Sequence, residues 1–242
     1  MLFLEIAPFA LKTSPDPDCD LAEIAYSGRC RRVHKWTHYF RIYERHLAKY
    51  RGSAFKMLEI GVNGGGSLDM WREYFGPKAS IFGIDINPDC AELDTPQSPV
   101  RVGSQADPGF LRTVVKEMGG LDVVLDDGSH KGKHQRKSFE VLFPLLNEGG
   151  LYIIEDTHTS YWLRFGGGFG RPGTAIGFAK RIVDDMHAWY HRRRPRTPAQ
   201  TEVGSVTFHD SIIVIEKMRR DPPGHVITMP KSSTAAAEGA EF

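Results

Sequence analysis

The sequence predicts an α/β fold in which helices cover both faces of a mostly parallel sheet, and three observations predict it. Five short apolar runs between residues 56 and 156 alternate with segments of helical spacing, which is the pattern of βαβ units. The runs are almost entirely apolar, as expected of strands that are covered on both faces. Two further runs, residues 205–210 and 211–217, are separated only by a tight turn, so that they are predicted to be antiparallel.

Each predicted element has its own local signal. The first helix, residues 36–50, has apolar side chains at helical spacing and ends before Gly52. The first strand, residues 56–61, leads into a glycine-rich turn, and the strands at 80–85, 121–127 and 150–156 end in acidic residues. The remaining strands are predicted over residues 80–85, 99–104, 121–127 and 150–156, and the remaining helices over residues 67–75, 108–118, 137–146 and 174–190.

Composition excludes several classes of protein. Lys and Arg number 31 against 30 Asp and Glu in 242 residues, which argues against a dedicated nucleic-acid binder. No apolar run is long enough to span a bilayer, and Met1–Leu11 carries an acid without a basic start, so it reads poorly as a signal peptide. The three cysteines form no CxxC pair and predict free thiols in a cytoplasmic protein.

The chain divides into three parts. Residues 1–52 are predicted to form a helical cap, residues 53–220 the core, and residues 221–242 a flexible tail. The rhythm of the core is interrupted by residues 157–203, which contain a glycine-rich stretch, an amphipathic helix and a basic segment at 192–196. We therefore expect an insertion between the last parallel strand and the antiparallel pair, with a mobile glycine-rich loop; the family resemblance given below implies that this insertion is a lid.

The glycine-rich turn at residues 61–66 predicts a cofactor that contains adenosine. Glycine allows close approach of the backbone to a ligand, and Asp85 ends the next strand, 24 residues after Gly61, where an acid can bind both ribose hydroxyls. The glycine spacing is G-x-x-G-G-G and Glu59 precedes it. A carboxylate there would repel a pyrophosphate but would bind an ammonium group, which favours S-adenosylmethionine over NAD. A turn that only packs a helix against a strand is the alternative.

A second group of residues is acidic. The sequence DDGSH at 126–130 ends one predicted strand, and Glu155 and Asp156 end a later one. The carboxyl ends of parallel strands share one edge of a sheet, where unpaired carboxylates would repel one another. Mg²⁺ would resolve that repulsion, and His130 could act beside it as a general base. The alternative is that single acids of this group cap helices or form ion pairs.

The residues from Lys35 to Lys217 resemble the metal-dependent sugar O-methyltransferases that use S-adenosylmethionine. This family includes enzymes that methylate deoxysugars of macrolide and related antibiotics and a 1-O-methyltransferase for methylated mannose polysaccharides. DDGSH followed by ED, 28 residues from Asp127 to Glu155, is the most specific part of the resemblance. The matching stretches are KWTHYFRIYERH, MLEIGVNGGGSLDMWREYF, IFGIDINP, GSQAD, LDVVLDDGSH, SFEVLFPLLNEGGLYIIEDTHTSYW and FHDSIIVIEK.

The resemblance implies a Rossmann-like class I methyltransferase fold and roles for individual residues. It implies His130 as the catalytic base and, as Mg²⁺ ligands, Asp127, Glu155 and Asp156. The cofactor pocket is expected to include Tyr39, Glu59, Gly61, Ser67, Asp85, Ser104, Gln105 and Asp126, and the acceptor pocket His158, Tyr161 and Trp162. Many relatives have an acid where this chain has Ser104, so the adenine contact departs from the family pattern.

The expected reaction is transfer of a methyl group from S-adenosylmethionine to a hydroxyl of a sugar or glycoside, with a homodimer as the expected assembly. A vicinal diol held by the metal suits a sugar, and it would also suit a catechol, so a catechol- or phenol-type O-methyltransferase is the first alternative. A subunit that binds S-adenosylmethionine or a sugar without catalysis is the alternative from another class. A nicotinamide oxidoreductase is disfavoured by the glycine spacing and Glu59.

Overall fold

The computed structural model describes residues 12–14, 18–191 and 197–228. Its strands are β1 (Lys56–Ile60), β2 (Ser80–Asp85), β3 (Val100–Val102), β4 (Val123–Asp126), β5 (Leu151–Ile154), β6 (Val203–Phe208) and β7 (Ile213–Lys217). They form one seven-stranded sheet in the order β3-β2-β1-β4-β5-β7-β6. The first five strands pair in parallel, whereas β7 is antiparallel to β5 and to β6. The predicted sheet and its antiparallel end are confirmed.

Helices cover both faces of this sheet. The helices are α1 (Asp20–Tyr26), α2 (Tyr39–Leu47), α3 (Gly66–Phe75), α4 (Pro108–Met118), α5 (Gly132–Leu142), α6 (Ala175–Met186) and α7 (Pro198–Glu202). Successive strand residues face opposite layers: Met57 packs with α1, α2 and α3, and Leu58 packs with α4, α5 and α6. The apolar strands predicted from the sequence are thus buried on both sides.

Local signals place the helix ends. The side chain of Asp107 accepts hydrogen bonds from the amides of Gly109 and Phe110 at the start of α4, which is the usual N-cap arrangement. Gly119 ends this helix with a φ of 70°. Thr174 caps α6 in the same way through the amide of Gly177.

Several predicted boundaries differ from the structure. The helix predicted over 36–50 begins at Tyr39, and its last turn, Ala48–Tyr50, is a 3-10 helix. The helix predicted over 137–146 begins five residues earlier and ends at Leu142, because Pro144 cannot continue an α-helix. Sequence analysis missed α1 and α7, which have seven and five residues and are too short to show a periodic pattern.

Residues 221–228, which begin the predicted tail, are exposed and have no regular secondary structure. The basic segment at 192–196 and residues 229–242 lie outside the described residues. Among the helices that the structure describes, none is sufficiently long and apolar to span a bilayer.

The sheet register brings the predicted site residues together. Ile60 at the end of β1 pairs with Asp126 at the end of β4, and Asp126 pairs with Ile154 at the end of β5. The residues that follow these three strands, including Gly61, Asp127 and Glu155, therefore leave the same edge of the sheet side by side.

Candidate active site

Asp127, His130 and Asp156 converge at this edge. Each offers one oxygen or nitrogen atom, and the three atoms lie within 4.8 Å of one another. Nδ1 of His130 is 4.0 Å from Oδ1 of Asp127, and its Nε2 is 3.7 Å from Oδ2 of Asp156. Two carboxylates and an imidazole in this arrangement are a donor set that a divalent cation accepts. The described residues therefore fit a metal ion at this position.

Glu155 lies in a different environment from this group. It is 1% exposed, and its carboxylate accepts hydrogen bonds from the hydroxyl of Tyr43 and from the ammonium of Lys35. Burial, together with the charge of Asp127, raises the pKa of Glu155 well above its usual value, although Lys35 opposes the rise. The structure thus brings two of the three predicted metal ligands together with His130 and places the third carboxylate beneath them.

Lys35 joins these two environments. Its ammonium lies 2.5 Å from Oδ2 of Asp127 and 2.8 Å from Oε2 of Glu155, and its side chain is 4% exposed. Burial alone would lower the pKa of Lys35, but the negative charges of Asp127 and Glu155 outweigh it, so the net shift is upward. Lys35 was not among the predicted site residues, because a single lysine before a helix carries no signal of a partner 120 residues away.

Tyr39 was expected in the cofactor pocket, but its hydroxyl contacts Asp156, one of the expected metal ligands. Its hydroxyl donates to Oδ1 of Asp156 at 2.7 Å and lies 2.8 Å from the hydroxyl of Ser211. Oδ1 of Asp156 is thereby held by Tyr39, while Oδ2 faces His130. Ser211 and Tyr43 are two further residues at the site that sequence analysis missed.

The glycine turn fits closely against the acidic strand end. Gly61 has a φ of 94°, and a Cβ atom there would lie 2.3 Å from the carbonyl oxygen of Asp127. Only glycine allows this approach. Ser67 is buried in the first turn of α3.

Glu59 presents an unpaired carboxylate oxygen. It is fully buried in β1, its Oε1 accepts a hydrogen bond from the indole nitrogen of Trp71 at 3.4 Å, and its Oε2 has no partner. Burial raises the pKa of Glu59 to about 7, although the charge of Lys35 opposes the shift. A buried, unsatisfied carboxylate oxygen is costly unless a donor pairs with it, and an ammonium group of a ligand would be such a donor. The residues therefore fit the methionyl end of S-adenosylmethionine.

Asp85 is held by three backbone amides. Its Oδ2 accepts from the amides of Val62 and Asn63 at 2.9 and 3.0 Å, and its Oδ1 accepts from the amide of Asn87 at 2.9 Å. The carboxylate therefore fixes the glycine turn at the place where a ribose was expected. Its partly exposed position at the end of β2 leaves room for further acceptor contacts.

Gln105 and Asp126, both expected in the cofactor pocket, bind each other. Nε2 of Gln105 donates to Oδ1 of Asp126 at 2.9 Å, and its Oε1 accepts from the amide of Ser129 at 2.7 Å. The hydroxyls of Ser138 and Tyr152 donate to Oδ2 of Asp126 at 2.5 and 2.9 Å. These groups form a buried network behind the site. The hydroxyl of Ser104 accepts from the amide of Ala106 in its own loop.

Of the residues expected to border the acceptor, His158 lies against the acidic group, with its Nδ1 3.9 Å from Oδ1 of Asp156. Nδ1 of His158 lies 2.5 Å from the hydroxyl of Ser211, and its ring stands edge-on to those of Trp36 and Trp162. Tyr161 is 49% exposed. The guanidinium of Arg164 lies 5.2 Å from the centre of the Trp162 ring. Leu163, which follows Trp162 in the chain, and Phe169 are apolar side chains that are exposed.

The chain is similar to known O-methyltransferases. It is 41% identical over 198 residues, or 77% of this chain and 51% of the relative, to 8-demethyl-8-alpha-L-rhamnosyl tetracenomycin-C 2'-O-methyltransferase of Streptomyces olivaceus. It is 41% identical over 187 residues, or 72% of this chain and 47% of the relative, to L-olivosyl-oleandolide 3-O-methyltransferase of Streptomyces antibioticus. The chain thus spans about half the length of these curated relatives. None of the protein-family models with which it was compared matches it.

A solved structure extends the similarity to three dimensions. MycE, a methyltransferase from the mycinamycin biosynthetic pathway in complex with Mg, SAH and mycinamycin VI, superposes with a TM-score of 0.74 at 32% identity, covering 91% of this chain and 58% of MycE. The fold is therefore the Rossmann-like methyltransferase fold that the sequence predicted.

Proposed function

We propose that this chain, whose homologues are sugar O-methyltransferases of macrolide and tetracenomycin pathways, transfers a methyl group from S-adenosylmethionine to a hydroxyl of a sugar, with Mg²⁺ at the acidic edge. The observation that carries the proposal is the convergence of Asp127, His130 and Asp156 within 4.8 Å. It supports a site in which Asp127 and Asp156 would bind the cation and His130 would act beside them as the general base, next to the turn that the cofactor would occupy.

The chain's own residues would do the following work. His130 accepts the proton of the acceptor hydroxyl through its imidazole, and Asp156, 3.7 Å from Nε2, stabilises the charge that the ring gains. Asp127 and Asp156 would hold the divalent cation, with Glu155 as the third ligand. A cation so placed supplies Lewis acidity, which lowers the pKa of a bound hydroxyl and fixes its orientation.

The cofactor would lie across the carboxyl ends of β1 and β2. Glu59 would pair its free Oε2 with the ammonium group of S-adenosylmethionine, and Asp85 would accept hydrogen bonds from the ribose hydroxyls. Gly61 and Ser67 would line the turn between them. Gln105 and Asp126 would support this pocket from behind through their mutual hydrogen bond, and Tyr39 would support it through Asp156. The methyl donor and the acceptor hydroxyl would then meet next to His130, and their alignment is the largest remaining contribution to the rate.

The acceptor is proposed to be a deoxysugar of a glycoside. The names of the relatives specify methylation of a rhamnosyl tetracenomycin-C and of an L-olivosyl-oleandolide, and the described residues include the packed rings of His158 and Trp162 with the exposed Tyr161 and Leu163 next to them in the chain. Such a surface suits a sugar that carries an apolar group. A cytoplasmic location and a homodimer belong to the same proposal, supported by the free thiols and by the family resemblance.

The experiment has two arms. The first measures binding of S-adenosylhomocysteine and of NAD⁺ by calorimetry, and we expect micromolar binding of the former alone. The second measures methyl transfer to rhamnosyl and olivosyl glycosides and to a catechol, with EDTA or with added Mg²⁺. We expect transfer to a glycoside that EDTA abolishes and Mg²⁺ restores. Transfer to the catechol alone would favour the phenol-type alternative, and full activity in EDTA would contradict the metal.

A further inference from the structure

The ammonium of Lys35 is buried among carboxylates at the centre of the site. It lies 2.5 Å from Oδ2 of Asp127 and 2.9 and 2.8 Å from Oε1 and Oε2 of Glu155. An ammonium group has three N–H donors, and three carboxylate oxygens surround this one. Lys35 therefore has no donor left for a sugar or a cofactor, and its partners are the two carboxylates themselves.

The two carboxylates are oriented differently by this contact. Both oxygens of Glu155 face Lys35, and Oε1 also accepts from Tyr43. The two oxygens of Asp127 have different neighbours, because Oδ2 faces Lys35 while Oδ1 lies 4.0 Å from Nδ1 of His130. Lys35 thus binds both oxygens of Glu155 and one oxygen of Asp127, and the other oxygen of Asp127 remains on the side of His130.

The position of Lys35 in the chain allows its side chain to withdraw. Residues 32–36, between α1 and α2, have no regular secondary structure, so a shift there breaks no helical or sheet hydrogen bonds. In contrast, Glu155 follows directly on β5 and its amide donates to the carbonyl of Asp126. The lysine is thus attached to a loop, whereas Glu155 is attached to a residue that a backbone hydrogen bond ties to the sheet.

We propose that Lys35 is a built-in counter-ion that competes with the divalent cation for Asp127 and Glu155. The inference rests on the cation site of the proposed function. When Lys35 holds the two carboxylates, their charge is neutralised and the site is stable without a cation. When a cation binds with Glu155 as a ligand, the ammonium of Lys35 must leave Glu155. An ammonium and a divalent cation that contact the same carboxylate repel each other strongly in a buried site. Lys35 therefore weakens cation binding.

The same contacts with Asp127 and Glu155 also allow Lys35 to promote cation binding. If Lys35 instead holds Asp127 and Glu155 in the orientation that the cation needs, its removal would weaken cation binding. The sign of the change in affinity decides between the two roles, and it is measured without any turnover of substrate.

The experiment compares Mg²⁺ binding by calorimetry in the wild type, Lys35→Met and Lys35→Gln. We expect the Kd for Mg²⁺ to fall roughly tenfold when the ammonium is removed. In thermal denaturation, we expect both variants to melt at a lower temperature than the wild type in EDTA and to gain more from added Mg²⁺. Lys137→Met is the matched control, since Lys137 also pairs with a carboxylate, Glu140 at 3.5 Å, but is exposed. Its Kd for Mg²⁺ should equal that of the wild type.

A second comparison removes the risk that a lone buried carboxylate unfolds the variants. Lys35→Met combined with Glu155→Gln removes both charges of the buried pair, which proteins tolerate better than the loss of one partner. In Glu155→Gln alone, Lys35 still competes with the cation for Asp127. The double variant lacks this competition and should therefore bind Mg²⁺ more tightly than Glu155→Gln. An unchanged or higher Kd on loss of Lys35 in both backgrounds would overturn the proposal.

The failure of the proposed function has a different signature. Asp156→Asn removes a carboxylate that Lys35 does not contact, and it should weaken Mg²⁺ binding whatever Lys35 does. If the wild type and Asp156→Asn bind Mg²⁺ equally, or if neither binds it, the cation site itself is wrong. If Asp156→Asn weakens binding but loss of Lys35 does not strengthen it, only the counter-ion role is wrong.

Discussion

His130 and Asp156 share an unusual backbone conformation, and their side chains meet. Their φ angles are 54° and 53°, in the left-handed region that residues other than glycine seldom adopt, and Nε2 of His130 lies 3.7 Å from Oδ2 of Asp156. Such conformations cost about 1–3 kcal/mol each and occur often at functional sites. In both residues the turn of the backbone directs the side chain back across the ends of β4 and β5, towards the same point.

We expect His130→Asn to lower kcat for methyl transfer by roughly 10²- to 10⁴-fold, because the general base is lost. Asparagine is chosen since it tolerates left-handed backbone better than alanine, so the change removes the imidazole with little effect on the turn. The Kd for S-adenosylhomocysteine and the melting temperature should stay close to those of the wild type. Kinetics with a glycoside acceptor and calorimetry check the two parts.

The control for this variant is His187→Asn. His187 follows α6, is exposed, and its Nδ1 lies 2.8 Å from the carbonyl oxygen of Val183. His187→Asn should leave kcat unchanged. An unchanged kcat in His130→Asn would remove His130 as the base and direct attention to His158.

Glu59 should make cofactor binding depend on pH. Burial raises its pKa from 4.5 to about 7, and an ammonium group pairs with the ionised form. Below pH 7 the carboxylate of the free protein is protonated, so binding must release that proton. We expect the Kd for S-adenosylhomocysteine to rise towards tenfold per pH unit as the pH falls below about 7, measured by calorimetry from pH 5 to pH 8.

Glu59→Gln tests this assignment. The variant should bind S-adenosylhomocysteine weakly at pH 8, and its Kd should lose the steep change below pH 7. Glu117 is an exposed carboxylate that pairs with Arg101 and serves as the control. Glu117→Gln should retain the wild-type dependence of the Kd on pH.

The stability of the ligand-free chain should follow the opposite trend. Because the folded pKa of Glu59 is the higher one, its contribution to the free energy of unfolding is present below pH 4.5 and is lost between there and pH 7. Glu59→Gln should reduce that loss.

A pH profile of binding that is identical in wild type and Glu59→Gln would show that another group binds the ammonium.

Asp85→Asn should weaken both the glycine turn and cofactor binding. The carboxylate accepts hydrogen bonds from three amides, those of Val62, Asn63 and Asn87, and an asparagine NH₂ group cannot accept them. Hydrogen bonds to a charged group contribute about 1.5–3 kcal/mol each. We expect a lower free energy of unfolding in urea and a Kd for S-adenosylhomocysteine at least tenfold higher.

Asp89→Asn is the matched control for Asp85→Asn. Asp89 is an exposed residue four positions later, and its substitution should leave the Kd for S-adenosylhomocysteine unchanged. If Asp85→Asn lowers stability while the Kd measured on the folded fraction stays the same, Asp85 supports the turn without binding the ribose.

The sequence predicted which edge of the sheet carries the acidic residues and His130, but not how each carboxylate is oriented there. Strands that end in Asp126-Asp127 and in Glu155-Asp156 had to bring their carboxylates to one edge, because parallel strands share a direction. The orientation of each carboxylate depends on tertiary contacts instead. Glu155 is held by hydrogen bonds from Lys35 and Tyr43, which lie more than 100 positions earlier in the chain.

A similar limit applies to residues that match a motif. Gln105 and Asp126 match cofactor-pocket positions of the family, and the structure shows their polar atoms bound to each other and to Ser129, Ser138 and Tyr152. A motif identifies residues that cannot be exchanged freely, and it does not separate direct contact with a ligand from support behind the pocket. That distinction requires the hydrogen-bond partners.

Gly61→Ala should destabilise the chain, whereas Gly64→Ala in the same turn should not. The backbone of Gly61 has a φ of 94°, and a Cβ atom would lie 2.3 Å from the carbonyl oxygen of Asp127, a backbone atom that cannot move without displacing the acidic strand end. We expect a loss of about 1–3 kcal/mol in the free energy of unfolding, measured in urea. Gly64 has no atom within 4 Å of its Cβ position and no positive φ, so alanine there should be neutral or slightly stabilising. Equal stability of the two variants would mean that the turn and the end of β4 adjust together, and Mg²⁺ binding by Gly61→Ala would then show whether Asp127 had moved.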